Sequence, residues 1–126
     1  MFSNPMHDIY NPGTDITAVA TEAISGKTIV KVAGPMVSGL IQVAPAAAGE
    51  AAIGVAKYDA DKGDKVGIAR GAGRVVTITA GAAVTAGQEV EIDAKSTVSP
   101  KSDGQAIGVA VDAAKAGEDA KISLYR

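Results

Sequence analysis

The sequence predicts a mainly β fold: a small β-barrel or β-sandwich of short strands, with an extended N-terminal arm and little helix. Three observations carry this expectation. From Ile16 onward, short runs of β-branched residues are separated by Gly, Asp, Ser or Pro roughly every eight to twelve residues, the spacing of small barrels and sandwiches. In Glu89-Val90-Glu91-Ile92 and Lys121-Ile122-Ser123-Leu124 polar and apolar residues alternate, which places the apolar ones on one face of a half-buried strand. Finally, the pentapeptide AIGVA at positions 52–56 returns at 106–110, so one strand unit is used twice.

The punctuation sets the elements in order. Ile16–Thr21 ends before the break at Gly26, and Thr28–Val32 lies between Gly26 and Gly34-Pro35. Leu40–Val43 precedes Gly49, Ile53–Lys57 follows it, and Lys65–Ala69 falls between Gly63 and the Gly71/Gly73 pair. Arg74–Thr79 runs up to Gly81, with Val76 and Ile78 expected inside. Glu89–Ile92 follows Gly87, Ser99-Pro100 and Asp103-Gly104 read as breaks, and Ile107–Ala110 and Ala120–Leu124 close the set. Turns this frequent leave no room for a long helix. The alanine-rich pieces Pro45–Ala52 and Asp112–Ala116 can supply a turn or two at most, although alanine favours helix.

Residues 1–15, MFSNPMHDIYNPGTD, differ from the rest and read as an arm. They hold Asn4-Pro5 and Asn11-Pro12-Gly13, both extended or turn signals, with the only His, the only Phe and two of the three Met. Residues 16–126 then form a single β-rich domain with a weak internal duplication, about 23–70 against 83–124. At an offset of 54, AIGVAKYDADKGDKVGIA lies over AIGVAVDAAKAGEDAKIS. Upstream, Ala23–Ile29 parallels Ala83–Val90 only if one residue is inserted. Each AIGVA is expected to be a buried strand whose Gly54 or Gly108 permits a bend or close backbone approach.

Composition bounds the function. The core materials are small: 25 Ala, 14 Val and 11 Ile against two Leu, one Phe and no Trp. Burial stabilises by roughly 25 cal/mol per Å² of apolar surface, so each small side chain contributes little, and oligomerisation or docking on a larger body would compensate. The net charge of −2, with Lys and Arg scattered among Asp and Glu, argues against nucleic acid as a partner. No apolar run approaches the eighteen or so residues of a membrane helix, and MFSNPMHDIY lacks the order of a secretory signal. The chain is therefore expected in the cytosol of the cell that makes it, without a membrane partner. With no Cys, disulfides and thiolate metal sites are excluded.

Several stretches approach a chemical motif and fall short. Gly26-Lys27-Thr28 resembles the end of a phosphate-binding loop, but the required upstream glycine position holds Thr21, so a hairpin turn is expected. Gly71-Ala72-Gly73-Arg74-Val75-Val76 has Val where a dinucleotide fingerprint needs its third Gly, and it precedes a strand. Asp59–Asp64 resembles a calcium loop, but Asp64 and Arg70 stand where Gly and Glu are needed. His7 has no second His or Cys and no Ser partner, so neither a metal cluster nor a catalytic triad forms around it. Glu89 and Glu91 belong to a solvated strand face, and Lys27, Lys57 and Lys95 lack the setting of a lipoyl or biotinyl carrier. No catalytic, cofactor-binding or metal-binding residue is assigned, and no cofactor is expected.

An extended arm, then Gly-Leu-Ile-Gln-Val-Ala-Pro at 39–45, Ala-Ala-Gly-Glu-Ala-Ala-Ile-Gly-Val-Ala at 47–56 and Val-Gly-Ile-Ala at 66–69 resemble the lambda-type head-decoration, or capsid cement, proteins of tailed bacteriophages. The resemblance covers about Ile9 to Leu124. Aromatic content lower than in that pattern, and a duplication clearer than it would have, are departures from it. The resemblance implies a non-enzymatic virion protein on the outer surface of the expanded capsid. It implies binding to the major capsid protein, usually as homotrimers, and strengthening of the shell against internal DNA pressure. Phe2, Met6, Ile9 and Tyr10 would then be the apolar anchors of the arm, with His7 and Asp8 as polar companions. The alternative is a secreted or cell-surface β-module binding carbohydrate or protein, disfavoured by the absence of a signal peptide and the shortage of Trp and Tyr. A small enzyme or carrier domain is the third reading.

Overall fold

In a computed structural model, which describes residues 15–126, the short β-branched runs pair into ten strands. They are β1 (Asp15–Ala20), β2 (Ile29–Val37), β3 (Leu40–Pro45), β4 (Ala52–Ala56), β5 (Lys65–Ala69), β6 (Val75–Thr79), β7 (Glu89–Ile92), β8 (Val98–Pro100), β9 (Gly108–Ala110) and β10 (Asp119–Leu124). The fold is all β, as expected, and the alanine-rich pieces form turns. Among the described residues there is no helix long and apolar enough to cross a membrane.

The first five strands close into a barrel in the order β1-β3-β2-β4-β5, in which β1 pairs with β3 in parallel and with β5 antiparallel. The last five form a sheet ordered β6-β10-β9-β7-β8, and one parallel bridge, Ala80 to Val98, links its two edges. The two sets correspond strand for strand. Ile16 pairs with Ile68 as Val76 pairs with Ile122, and Val30 pairs with Gly54 as Val90 pairs with Gly108. The bridge from Ile24 to Ala60 matches that from Val84 to Ala114.

This correspondence aligns the upstream halves without an inserted residue. Lys27 N–H donates to Ala56 O as Gly87 N–H donates to Ala110 O, so Lys27 stands over Gly87. Both have positive φ, 62° and 84°. The one-residue insertion expected from the sequence is absent because the left-handed residue is Lys in one copy and Gly in the other.

Strand length departs from expectation in two places, each at a proline. β2 runs on through Gly34-Pro35, where register shifts against β3 at Val32/Gly34 and Gly34/Val37 absorb the missing donor as bulges. β8 lies across the expected break at Ser99-Pro100. Beyond the bridge at Val98 the outer side of β8 has no ladder partner, and Pro100 pairs only with Val90 of β7, so a proline fits.

Two apolar clusters form the interior. Ile16, Ala18, Val30, Val43, Val66 and Ile68 fill the first barrel, while Ile78, Val90, Ile92, Val98, Ala120 and Ile122 fill the second set. Ile29 and Val55 face out of the first barrel and are buried in the second cluster together with Ala46. Their counterparts in the second copy are Glu89 and Val109, of which Glu89 is exposed. One Ile-to-Glu difference on the same strand face thus accompanies a buried contact in the first copy and an exposed position in the second. Ser96, itself buried, ties the two together: its Oγ–H donates to Ala46 O, and its carbonyl accepts from Ile29 N–H.

Candidate functional site: a hairpin and groove on the first barrel

Tight turns at most strand ends follow one pattern. In Asp61–Asp64, Thr85–Gln88 and Lys115–Glu118 the fourth residue's N–H donates to the first residue's carbonyl, with Gly at positive φ in third place, as type II turns require. The fourth side chain then returns to accept the first residue's N–H, as Glu118 does from Lys115 at 2.8 Å and Asp64 does from Asp61 at 3.3 Å. The stretch around Asp59–Asp64 is such a turn, with Asp59 accepting Gly26 N–H at 2.7 Å. At Ser25–Thr28 the Thr28 hydroxyl donates to Ser25 O, so Gly26-Lys27-Thr28 is a tight turn leading into β2; it is not the expected hairpin turn, because β1 and β2 are separated by β3 in the barrel, and Lys27 Nζ donates to Asp119 at 3.1 Å. Among the described residues no group of three or more His, Asp or Glu could hold a metal ion.

Carboxylates here hold strands together. Asp15 accepts from Lys57, just after β4, and from Arg74, just before β6, which ties β1 to both sets of strands; the Lys57 and Arg74 hydrogen bonds hold its carboxyl below the usual range. Asp93 follows β7 and closes the short β7–β8 hairpin. It accepts from Thr97 Oγ1 at 2.6 Å, Ser99 Oγ at 2.9 Å, and the N–H groups of Lys95 and Thr97 at 2.9 and 3.1 Å. Burial pushes its carboxyl up, but these donors outweigh burial and hold it low. Glu91 is likewise occupied, accepting from Gly104 N–H at 2.6 Å and Ser102 Oγ at 3.1 Å.

The equivalent hairpin in the first copy is different. Ten residues separate the Val32–Val43 pair, against five between Ile92 and Val98. The additional length projects beyond the barrel and ends in a two-residue loop, Ser38-Gly39, with φ of 52° and 77°, the left-handed pair that matches hairpin twist. Gln42 Nε2 donates to Pro35 O at 2.7 Å and pins the bulged strand. Val32, Met36 and Val37 on this hairpin are each about half exposed, at 53%, 49% and 53%. Residues 32–49 contain no Asp, Glu, Lys or Arg at all. That charge-free run is the sequence signal that marks the hairpin, and it passes unnoticed because Gly34-Pro35 reads as a break.

At the base of the hairpin lies an open groove of about 480 Å³ lined by Lys31, Val32, Ala52, Ile53, Arg70 and Arg126, with Glu50 beside them. Three strand ends build it. β2 pairs with β4 only as far as Lys31–Ala52, and beyond that β2 is bonded to β3 alone. The edge of β2 above the groove is therefore unpaired. Lys31 is neutralised by Glu50, whose carboxyl is held low by Lys31 and by Ala47 N–H. The side chains of Arg70 and Arg126 have no ion pair among the described residues.

The sequence-expected contact residues Phe2, Met6, His7, Asp8, Ile9 and Tyr10 lie outside the described residues.

A family model described as phage cement protein matches residues 10–125. Among solved structures, the head fiber gp8.5 N base of bacteriophage phi29 superposes with a TM-score of 0.74 at 22% identity, covering 87% of this chain and 92% of that one. At that identity the likeness concerns the fold. A search of curated proteins gave no match.

Proposed function

Because the chain belongs to the phage cement protein family and has a structural, capsid-associated role, we propose that it binds the outer surface of the expanded phage head and stabilises the shell by contact, without catalysis. The observation that carries the reading is the extent of the match, residues 10–125, which takes in both sets of strands. The architecture supports it. Tight turns such as Lys115–Glu118 are closed by their own side chains, and Asp15, Asp93 and Glu91 are occupied within the fold, while the hairpin and groove of the first barrel offer apolar and cationic surface. Many copies on a symmetric lattice would sum modest contacts into a large stabilisation. The major capsid protein is the proposed partner, and the copies associate with one another as trimers.

We assign the arm residues Phe2, Met6, Ile9 and Tyr10, with His7 and Asp8, to contact with the shell or a neighbouring copy. An arm that orders on binding can add a strand to another sheet. Co-sedimentation with expanded, decoration-free heads tests the function. Full-length protein should saturate at a fixed copy number per capsid subunit and raise the temperature at which heads rupture. A chain beginning at Asp15, which keeps the Lys57 and Arg74 contacts, should fold and lose this binding. Failure of the full-length chain to bind any head preparation would overturn the cement reading, and unchanged binding by the truncated chain would overturn the role of the arm.

A further inference from the structure

We propose that the groove at the base of the β2–β3 hairpin receives an extended, acidic segment of the shell protein, which adds as a strand to the free edge of β2 and places its carboxylates on Arg70 and Arg126. The inference rests on the cement reading and names the surface and partner chemistry for it.

Three independent features converge there. The edge is open: β4 leaves β2 after the Lys31–Ala52 pair, and β2 continues to Val37 with only β3 bonded to it. Apart from Pro35, which has no N–H and whose C=O accepts from Gln42, its outward N–H and C=O groups are a template for another strand. Next, the charge is unbalanced. Arg70 at the end of β5 and Arg126 after β10 flank the groove without an acidic partner among the described residues, in a protein whose net charge is −2 and whose other cations at this site and around Asp15 are paired. A guanidinium takes a carboxylate through two parallel hydrogen bonds, so two of them select an acidic chain and set its register. Last, the walls are apolar: Val32, Ala52 and Ile53 line the groove, and Met36 and Val37 extend beyond it, so apolar residues alternating with the carboxylates find a dry seat.

The second copy shows what the same strands do without this role. There the hairpin is cut short, and Asp93 closes its loop with four hydrogen bonds. The register elsewhere is shared, so the longer hairpin of the first copy is not needed to build the barrel.

The test compares full-length wild type, the double variant Arg70→Glu/Arg126→Glu and a control, Lys95→Glu/Lys101→Glu, which makes the same charge change on exposed residues outside the groove. Binding to expanded, decoration-free heads is measured across ionic strength, alongside unfolding temperature and sedimentation equilibrium. The expected result is a wild type whose affinity falls with salt, a control that behaves like it, and a groove variant about tenfold weaker or more, folded and nearly insensitive to salt. A Val37→Ser variant, neutral in charge, should also bind more weakly while keeping the salt dependence. Wild-type affinity in the groove variant overturns the groove proposal and leaves the cement reading standing. A changed oligomeric state in the groove variant overturns it also, and assigns the groove to contact between copies. Failure of wild type to bind heads at all removes the cement reading, and the groove proposal with it.

Discussion

Replacing Gly54 or Gly108 by alanine should destabilise the protein severely, and for the same reason in each copy. A Cβ on Gly54 would lie 2.5 Å from Ala69 O and 2.6 Å from Ile68 Cγ2. On Gly108 it would lie 2.5 Å from Ser123 O and 2.7 Å from Ile122 Cγ2. Ordinary carbon contacts are about 3.5–4.0 Å, so each substitution requires a shift of about 1 Å. Neither obstacle yields easily. One is backbone oxygen on the neighbouring strand, and the other is the branched methyl of an isoleucine that is fully buried. Overpacking of this kind costs about 1–3 kcal/mol, and a backbone clash belongs at the upper end. For a chain of 126 residues each kcal/mol moves Tm by about 3–6 °C, so a loss of roughly 6–18 °C is expected for either variant. Calorimetric melting of Gly54→Ala, Gly108→Ala and Gly34→Ala decides the matter. At Gly34 the added carbon meets only the end of the Gln42 side chain at 3.2 Å, so that variant should melt within a few degrees of wild type. Wild-type melting of the Gly54 and Gly108 variants would refute the claim that close strand approach fixes these residues.

Other outcomes are expected from the same structure. Asp93→Ala should cost about 2–3 kcal/mol at neutral pH, because its hydroxyl and amide donors lose a charged acceptor. The folded carboxyl of Asp93 lies below its unfolded value near 3.9, so its contribution is complete above that pH and disappears as pH falls through the lower folded value. The difference between wild type and Asp93→Ala in denaturant melts should therefore shrink below about pH 4. Ser96→Ala removes the hydroxyl that caps Ala46 O between the two sets of strands and should cost about 1–3 kcal/mol, read by urea unfolding. Gly87→Lys should be tolerated at about 1–2 kcal/mol, since Lys27 occupies the same left-handed place in the other copy; complete loss of folding would contradict the correspondence.

Much of the fold is written locally. Period-two alternation in β7 and β10, and β-branched runs bounded by glycines, mark strands because each depends on a side chain's own face and a turn's own φ. AIGVA is legible for the same reason: a glycine within a buried apolar run signals close approach, and Ile68 and Ile122 supply the obstacle. The family resemblance lay in the same small-residue runs. Where reading failed, the cause was a partner distant in sequence. Pro35 and Pro100 break a strand only if the backbone on both sides must pair, and whether a strand has a free edge is decided by the sheet order. The match of Lys27 with Gly87 was hidden because the sequence carries residue type while the turn requires only φ.

The sequence by itself determined the all-β class, nearly all of the strands, the twofold use of AIGVA and the membership of a cement family, all properties carried by short segments. Only the tertiary structure decided that Ile29 is an interface residue while its counterpart Glu89 faces water, that the first hairpin stands free of the barrel, and that Arg70 and Arg126 share a groove. Burial and electrostatic pairing belong to positions in space. Strands thirty or fifty residues apart must close before a side chain has a neighbour at all.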